Sequence, residues 1–426
     1  MTATATHQAI DAVFRIEQAK LIAGLARMVR DVGLAEELAQ DALVTALEQW
    51  PRAGIPDKPG AWLMAAAKHR AIDRLRRKKL IERKHDELGR DLEIEGEGAE
   101  PDLDAALDDD IGDDLLRLMF TACHPVLATE ARVALTLRLI GGLTTDEIAR
   151  AFLVAEPTVA QRIVRAKRTL GEKQVPFEVP RGAELGQRLA SVLEVIYLIF
   201  NEGYSATAGD DWMRPQLCEE ALRLGRILAA LAPSEAEVHG LVALMEIQAS
   251  RLKARASSSG QPILLLDQNR ARWDQLLIRR GLAALAQAEA QAKKIDEPLG
   301  PYALQAAIAA CHARARTGEE TDWARIVGLY GKLSEITPSP IVELNRAVAL
   351  AMLFGPAAGL EVVDALSNEP ALKAYHLLPS VRGDLLCKLG RLEEARTEFE
   401  RAAAQTRNER ERNLLLARAA ACTRTP

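Results

Sequence analysis

Residues 144–173 read TTDEIARAFLVAEPTVAQRIVRAKRTLGEK, and this stretch decides how the fold of the chain is interpreted. Thr144 and Glu147 stand three residues apart, which is the spacing of a capping box at a helix start. Pro157 suits the first position of a second helix, where a backbone N–H is not needed. Two short helices joined by a tight turn are therefore predicted. In the second helix, apolar residues at spacings of four, three and four predict one buried stripe: Val159, Ile163, Ala166 and Leu170.

The face opposite this stripe is polar and basic. From Gln161 to Thr169 there are four basic residues and no acidic one. Arginine and glutamine can form paired hydrogen bonds with base edges, and arginine also neutralises phosphates. The pattern is typical of the second helix of a DNA-binding helix-turn-helix, although a solvated basic face on an ordinary helix pair would have the same composition. The candidate DNA-binding residues are Thr158, Gln161, Arg162, Arg165 and Arg168.

The composition predicts an all-α chain of several domains. The 426 residues are many for one hydrophobic core, and 48% of them are hydrophobic but only 4% aromatic. This balance favours close-packed helices over β-sandwiches. The net charge of −5 argues against a nucleic-acid binder only as an average, because separate domains can differ in charge.

A second basic segment lies near the N-terminus, in a helix predicted over residues 61–80. Its second half carries seven cations in twelve residues, opposed by Asp73 alone. Cations are favoured at a helix C-terminus, so a solvated helix end is one interpretation, but seven exceed what a cap needs. Contact with nucleic-acid phosphates is the other interpretation. The candidate contacts are Lys68, Arg70, Arg74, Arg76 and Arg77.

The charge changes sign immediately afterwards. Residues 81–110 contain thirteen acidic residues against three basic ones, with a GEGAEP stretch inside. Such a segment repels itself and cannot bury a core, so a flexible linker is predicted between the two basic modules.

The order of these segments resembles a bacterial sigma factor of the extracytoplasmic-function group. Residues 35–50, AEELAQDALVTALEQW, are similar to the helix that docks on the clamp of core RNA polymerase. Residues 59–77, PGAWLMAAAKHRAIDRLRR, resemble the segment that melts and reads the −10 element. Residues 141–170 resemble the domain that reads the −35 element.

The resemblance implies a division of labour among these residues. Glu37, Gln40 and Asp41 would bind the clamp of the large polymerase subunit, the cations of residues 68–77 would contact the −10 region, and residues 158–168 the −35 element. We therefore predict a region 2 domain (1–80), an acidic linker (81–110) and a region 4 helix-turn-helix domain (111–175). A helical connecting domain (180–295) and tetratricopeptide-like repeats (296–426) would follow.

The last part of the chain supports the repeat prediction. Ala395, Phe399 and Ala402 fit the tetratricopeptide spacing, and Ala358, Val362 and Ala365 fit the same pattern 37 residues earlier. The resemblance is to a sigma-factor subgroup with such an extension, which would regulate activity in cis or contact polymerase. An anti-sigma or signal partner at the repeats is a further candidate. Residues 266–274, LDQNRARWD, are interpreted as either a ligand site or an internal capping network.

Other classes of function are disfavoured. The chain has no GxxxxGK[ST] phosphate loop and no plausible Ser/His/Asp arrangement, so no enzyme activity and no cofactor are expected. The five cysteines are scattered and no histidine pair has ligand spacing, so no metal is expected. With no signal peptide or membrane-spanning run, a cytoplasmic protein without membrane contact is predicted. The alternatives are a helix-turn-helix regulator or a tetratricopeptide scaffold, neither acting as a polymerase subunit.

Overall fold

The computed structural model describes residues 3–89, 111–206, 208–209, 211–257 and 260–423. The chain divides into two compact units, residues 1–195 and 196–426. The all-α prediction is confirmed in both. Within the described ranges, regular β structure is limited to two parallel two-residue strands, β1 (Ala208–Gly209) and β2 (Arg407–Asn408), with Ala208 opposite Arg407.

The first unit is built from short amphipathic helices. Its N-terminal helices bury Ile22, Leu25 and Leu38 almost completely, and Trp50 packs edge-on against Trp62 with ring centroids 5.2 Å apart. The helices are α1 (Ala3–Val29), α2 (Val32–Ala53), α3 (Pro59–Gly89), α4 (Ile111–Ala122), α5 (Thr129–Leu139), α6 (Thr145–Phe152), α7 (Glu156–Glu172) and the first part of α8 (Ala183–Tyr204).

The predicted linker differs from the structure at its start. Residues 81–89 continue α3, which was expected to end near residue 80. Most residues of this stretch are good helix formers, and neither Gly nor Pro interrupts it before Gly89, so the basic helix has no local reason to stop earlier. The remaining linker residues, 90–110, lie outside the described residues.

The second unit is a succession of packed helices. Residues Leu265–Asp267, between α10 and α11, form a 3₁₀ turn. The helices after α8 are α9 (Pro215–Leu231), α10 (Ala236–Ala249), α11 (Gln275–Lys294), α12 (Pro301–Arg314), α13 (Trp323–Ile336), α14 (Pro340–Phe354), α15 (Pro356–Ala365), α16 (Leu377–Lys388), α17 (Leu392–Gln405) and α18 (Glu409–Ala421).

The last helices pack through small residues, as paired helices of a repeat would. In α17, Ala395, Phe399 and Ala402 are all buried, and a Cβ built on Gly383 of α16 would come 2.9 Å from the Phe399 ring. The proposed earlier copy does not match in detail. Ala365, the counterpart of buried Ala402, is exposed, because α15 ends there and packs through Gly359, Leu360 and Val363 instead.

Gly240 offers a test of how tightly α10 and α12 pack. A Cβ added at Gly240 would lie 2.6 Å from the backbone nitrogen of Ala303, and backbone cannot move aside like a side-chain tip. We expect Gly240→Ala to destabilise the second unit by about 1–3 kcal/mol. Calorimetry should show its unfolding midpoint lowered by roughly 2–12 °C.

Gly328→Ala is the matched control for this substitution. Gly328 lies within α13, where an added Cβ would meet nothing within 4 Å. Alanine is the better helix former by about 0.8–1 kcal/mol, so this variant should unfold at a slightly higher temperature. Equal midpoints for the two variants would show that α10 and α12 do not depend on the close approach at Gly240.

Candidate nucleic-acid interface

The capping box predicted from the sequence is present at the start of α6. The Glu147 backbone N–H donates to Thr144 Oγ1 at 3.1 Å, and the Thr144 N–H donates to the Glu147 carboxylate at 2.8 Å. The helix ends at Phe152, the left-handed backbone of the next residue, Leu153 (φ 50°), turns the chain sharply, and α7 begins at Glu156. Pro157 is therefore the second residue of α7 rather than the first. The predicted pair of helices joined by a tight turn is confirmed.

Helix α7 divides into a buried and an exposed face. The four residues of the predicted stripe, Val159 to Leu170, are all buried, which fixes the opposite side towards solvent. Arg168 forms an exposed pair with Glu172 at 3.1 Å, an interaction too weak to prevent other contacts. Of the candidate DNA-binding residues, Arg162 is half-buried, and the others are exposed: Thr158, Gln161, Arg165 and Arg168.

The second basic face and the candidate polymerase-binding face lie side by side. Arg70 of α3 is 3.5 Å from the Asp41 carboxylate of α2, and Arg74 of α3 is 3.3 Å from the Glu37 carboxylate. All four side chains are at least two-fifths exposed, so each pair contributes about 0–1 kcal/mol and separates at little cost. The structure thus brings together two sets of residues that the sequence analysis assigned to different partners.

Glu36 forms an ionic cluster that sequence reasoning missed. Its side chain lies on the buried side of α2 and is only 3% exposed. Its carboxylate accepts from Arg138 Nε of α5 at 2.7 Å, from Lys167 Nζ of α7 and from the Gln40 amide at 3.1 Å. We call these four residues the Glu36 cluster. The helical period could have predicted this burial, since Glu36 falls between Val32 and Ala39 on the buried stripe of α2.

Further contacts join the N-terminal helices to the helices around the helix-turn-helix. The Gln18 amide of α1 donates to the Arg138 carbonyl at 3.1 Å, and Arg27 of α1 lies 3.4 Å from the Asp114 carboxylate of α4. The N-terminal helices and the helix-turn-helix therefore pack directly on one another within the first unit. The Glu36 cluster lies between the candidate polymerase-docking helix and the candidate DNA-reading helix.

The first part of α8 belongs to the same unit as the helix-turn-helix. Arg188 donates to the Phe120 carbonyl at 3.0 Å, Ser191 to the Cys123 carbonyl at 2.6 Å, and Arg132 to the Glu194 carboxylate at 3.0 Å. Burial raises the pKa of the Cys123 thiol to about 11, so at neutral pH this cysteine is a packing residue and not a nucleophile.

The stretch at residues 266–274 contains the predicted capping interactions. Asn269 Oδ1 accepts from the Ala271 N–H at 3.0 Å, and Asp274 Oδ1 accepts from the N–H groups of Leu276 and Leu277 at 2.9 and 3.1 Å. In the described part of the chain, no three His, Cys, Asp or Glu side chains are placed to hold a metal ion. No described helix is long and apolar enough to cross a membrane.

A helix-turn-helix with an exposed basic face, in one compact unit with a second basic helix, is typical of a DNA-binding protein. Comparison with known sequences agrees. Residues 13–81 match the family described as Sigma-70 region 2, residues 117–170 match Sigma-70, region 4, and residues 188–289 match a family of unknown function, DUF6596. The chain is 42% identical over 400 residues to "Uncharacterized protein R00370" of Rhizobium meliloti (strain 1021), covering 94% of this chain and 92% of that protein. No solved structure matches.

The chain belongs to the sigma-70 family, with the extracytoplasmic-function pairing of region 2 and region 4 and a C-terminal extension. Its two sigma regions support a role in transcription initiation through core RNA polymerase and promoter DNA. They indicate a transcription factor rather than an enzyme. The region 4 match ends at Leu170, the last residue of the buried stripe of α7.

Proposed function

We propose that this protein directs core RNA polymerase to particular promoters, in the bacterial cytoplasm, through three surfaces. The −35 element is read by the α7 face carrying Thr158, Gln161, Arg162, Arg165 and Arg168. The −10 region is held by Lys68, Arg70, Arg74, Arg76 and Arg77 of α3. The polymerase clamp binds Glu37, Gln40 and Asp41 of α2. The observation that carries the proposal is the exposed basic face of α7, fixed by the buried stripe behind it.

The distance between the two promoter elements adds a requirement. Their names place them about 25 base pairs apart, which is roughly 85 Å along B-DNA at 3.4 Å per pair. In this structure α7 touches α2 through the Glu36 cluster, and α2 pairs with α3 through Arg70 and Arg74, so the two reading surfaces are much closer than that. We infer that the free protein rests in this closed form and that the first unit opens when polymerase and promoter bind.

The C-terminal extension is proposed to regulate transcription in cis, either by contacting polymerase or by receiving an anti-sigma or signal partner at its repeats. Covalent attachment supports this role, because a fused domain has a high effective concentration at its target. A truncation that tests it should end after Val195 rather than near residue 180, because Arg188, Ser191 and Glu194 contact the helix-turn-helix unit.

We expect the 1–195 truncation to change promoter-specific transcription, measured as run-off product with purified core polymerase. Circular dichroism and DNA binding of the truncated protein serve as folding controls, since both promoter-reading surfaces lie within residues 1–195. If truncated and full-length proteins give the same product yield and the same affinity for core polymerase, the extension has no regulatory role in cis.

The same reconstitution tests the proposed function itself. A promoter-recognition subunit gives specific transcripts only when it is mixed with core polymerase. A helix-turn-helix regulator would bind an operator without core enzyme, and a tetratricopeptide scaffold would show no salt-dependent DNA affinity at all. Specific DNA binding that neither needs nor engages polymerase would therefore exclude the proposal.

A further inference from the structure

Two motifs that the promoter-binding function leaves unexplained meet in the second unit. One is the segment after α8, NEGYSATAGDDW, which contributes Tyr204 and Trp212. The other is LDQNRARWD, which contributes Arg270 and Trp273. Arg251 and Arg255 lie between them in sequence, directly after α10. All six residues lie within the part of the chain matched by the family of unknown function.

Guanidinium groups and aromatic rings alternate in this region. Arg255 Cζ lies 3.5 Å from the Tyr204 ring centroid and 4.4 Å from that of Trp212. Arg251 Cζ lies 5.7 Å from the centroids of both Tyr204 and Trp273, and Arg270 Cζ lies 5.0 Å from that of Trp273. We call these six residues the arginine–aromatic cluster: Tyr204, Trp212, Arg251, Arg255, Arg270 and Trp273. Each cation is stabilised by a π face, but a π face carries no net negative charge.

The cluster has three positive charges, and among the described residues the only acidic influence on them is the charge of Glu320, which acts on Arg270 from beyond ion-pair distance and raises its pKa. In the described residues, none of its arginines forms an ion pair with a carboxylate. Arg255, 6% exposed, donates to the Tyr204 carbonyl, and Arg270 donates to the carbonyls of His312 and Ala315 at 2.5 and 2.8 Å. Burial lowers the pKa of both Arg255 and Arg270, with the charge of Arg251 as a further cause. Native proteins usually pair buried charges, so the lack of an ion pair at buried Arg255, in the part of the chain that the structure describes, calls for an explanation.

Unsatisfied polar atoms lie in and beside the same cluster. Arg251 Nε and Trp273 Nε1 are buried and have no hydrogen-bond partner, and the same holds for Nδ1 of the neighbouring His312. Trp273 is 3% exposed and His312 is 8% exposed. Burial, together with the charges of Arg251 and Arg270, lowers the pKa of His312 to about 4, so the ring is neutral at pH 7. Arg251 and Arg270 are half-buried, so one side of the cluster faces solvent.

We propose that the arginine–aromatic cluster binds an oxyanion, through a phosphate or carboxylate group of a small molecule. The anion supplies the missing negative charge, and the unsatisfied N–H groups are its hydrogen-bond donors. Guanidinium forks suit such oxygens, because they offer parallel N–H groups at the spacing of two oxyanion oxygens. The extension would then carry a ligand-binding site separate from the promoter-reading surfaces of the first unit.

The test is a titration of the full-length protein with inorganic phosphate, followed by tryptophan fluorescence, at pH 7 and constant ionic strength. Sodium acetate and citrate in parallel titrations separate a phosphate site from a carboxylate site, and sodium chloride is the blank. We expect saturable binding of at least one oxyanion, weakened roughly tenfold or more by Arg251→Gln and less by Arg251→Lys, which keeps charge but not the fork. Arg280→Gln, on an exposed position of α11, is the matched control and should change affinity less than twofold.

A second measurement covers the case in which Arg251→Gln fails to fold. In the wild-type protein, NMR titration of His312 should show its pKa rising from about 4 when the anion binds, because a nearby negative charge offsets Arg251 and Arg270. Fluorescence no different from the chloride blank with every anion, equal affinity in Arg251→Gln and Arg280→Gln, or an unmoved His312 pKa would each overturn the proposal. None of these readouts involves polymerase or promoter DNA, so the outcome does not depend on the proposed function in transcription.

Discussion

Glu36→Gln is expected to open the first unit. The substitution keeps the shape of the side chain but removes the one negative charge shared by Arg138 and Lys167. These two cations would then face a neutral amide at the contact between α2, α5 and α7. The closed form brings these two cations together and an open form would separate them. Their mutual repulsion therefore destabilises the closed form and not the open form.

The size of the effect follows from how far each partner is buried. Removing one member of a buried ion pair costs about 3–5 kcal/mol, and of an exposed pair about 0–1 kcal/mol. Glu36 is nearly inaccessible, while the Arg138 and Lys167 side chains are 21% and 22% exposed, so an intermediate cost applies. About 1–3 kcal/mol corresponds to a roughly 5- to 150-fold larger equilibrium constant for opening. If core polymerase binds only the open form, its apparent affinity should rise by up to the same factor.

Opening can be measured as a distance between two spin labels. Cysteines placed at Glu48 of α2 and at Lys173, directly after α7, report on the separation of the two helices; both positions are exposed. Cys387 should be changed to serine first, because it is exposed, whereas the other four cysteines are buried. Glu36→Gln should broaden the distance distribution towards longer values, and this shift should increase at high salt, which weakens the remaining ion pairs.

Glu37→Gln is the matched control for this experiment. Glu37 is the next residue, also acidic, but its side chain is 63% exposed and pairs with Arg74 of the same helical group. It should leave the label distance unchanged while still testing polymerase binding, because Glu37 is a candidate clamp contact. The closed-form inference is wrong if Glu36→Gln and Glu37→Gln give the same distances as the unaltered protein.

The contrast between these neighbouring residues shows what the sequence could reveal. The capping box of Thr144 and Glu147 and the stripe of α7 depend on residues three or four apart, so local spacing predicted them correctly. The partners of Glu36, Arg138 and Lys167, lie 102 and 131 residues further along the chain. The number of residues between them does not indicate how the helices pack. Its burial was readable from the period of α2, but the identity of its partners was not.

The second unit shows the same limit in two further places. The 37-residue offset aligned α15 with α17 by composition, yet Ala365 is exposed, because where a helix ends decides which positions can pack. The motif containing Arg270 was correctly linked to capping through Asn269 and Asp274, which act within three residues. This motif comes near Tyr204 only in the folded chain, where Arg251 lies near the rings of both Tyr204 and Trp273. Spacing along the sequence could therefore not predict the arginine–aromatic cluster.

Replacing Arg162, Arg165 and Arg168 together with alanine is expected to abolish specific promoter binding. The variant should fold, because all four residues of the buried stripe remain and alanine is the best helix former. Each arginine that reads a base contributes about 1–3 kcal/mol of discrimination. Each arginine that neutralises a phosphate contributes about 0.9 to the slope of log affinity against log salt.

Single substitutions distinguish these two roles. An arginine that contacts phosphate should lower the salt slope by about one and weaken all sequences equally, whereas one that reads a base should relax the preference at one promoter position. Arg181→Ala is the control, since Arg181 is exposed in the same unit but lies beyond α7. Fluorescence anisotropy on promoter duplexes over a range of salt concentrations measures both quantities.

The outcome also depends on the state of the Glu36 cluster. Lys167 lies on α7 between Arg165 and Arg168, yet its ammonium is held by Glu36, so the closed form leaves it unable to reach DNA. In Glu36→Gln this ammonium is released and should add about 0.9 to the salt slope of DNA binding. The triple arginine variant should remain unable to choose a promoter in that background, because Lys167 supplies charge without paired base contacts. Promoter choice retained in the combined variant would place the recognition surface on a helix other than α7.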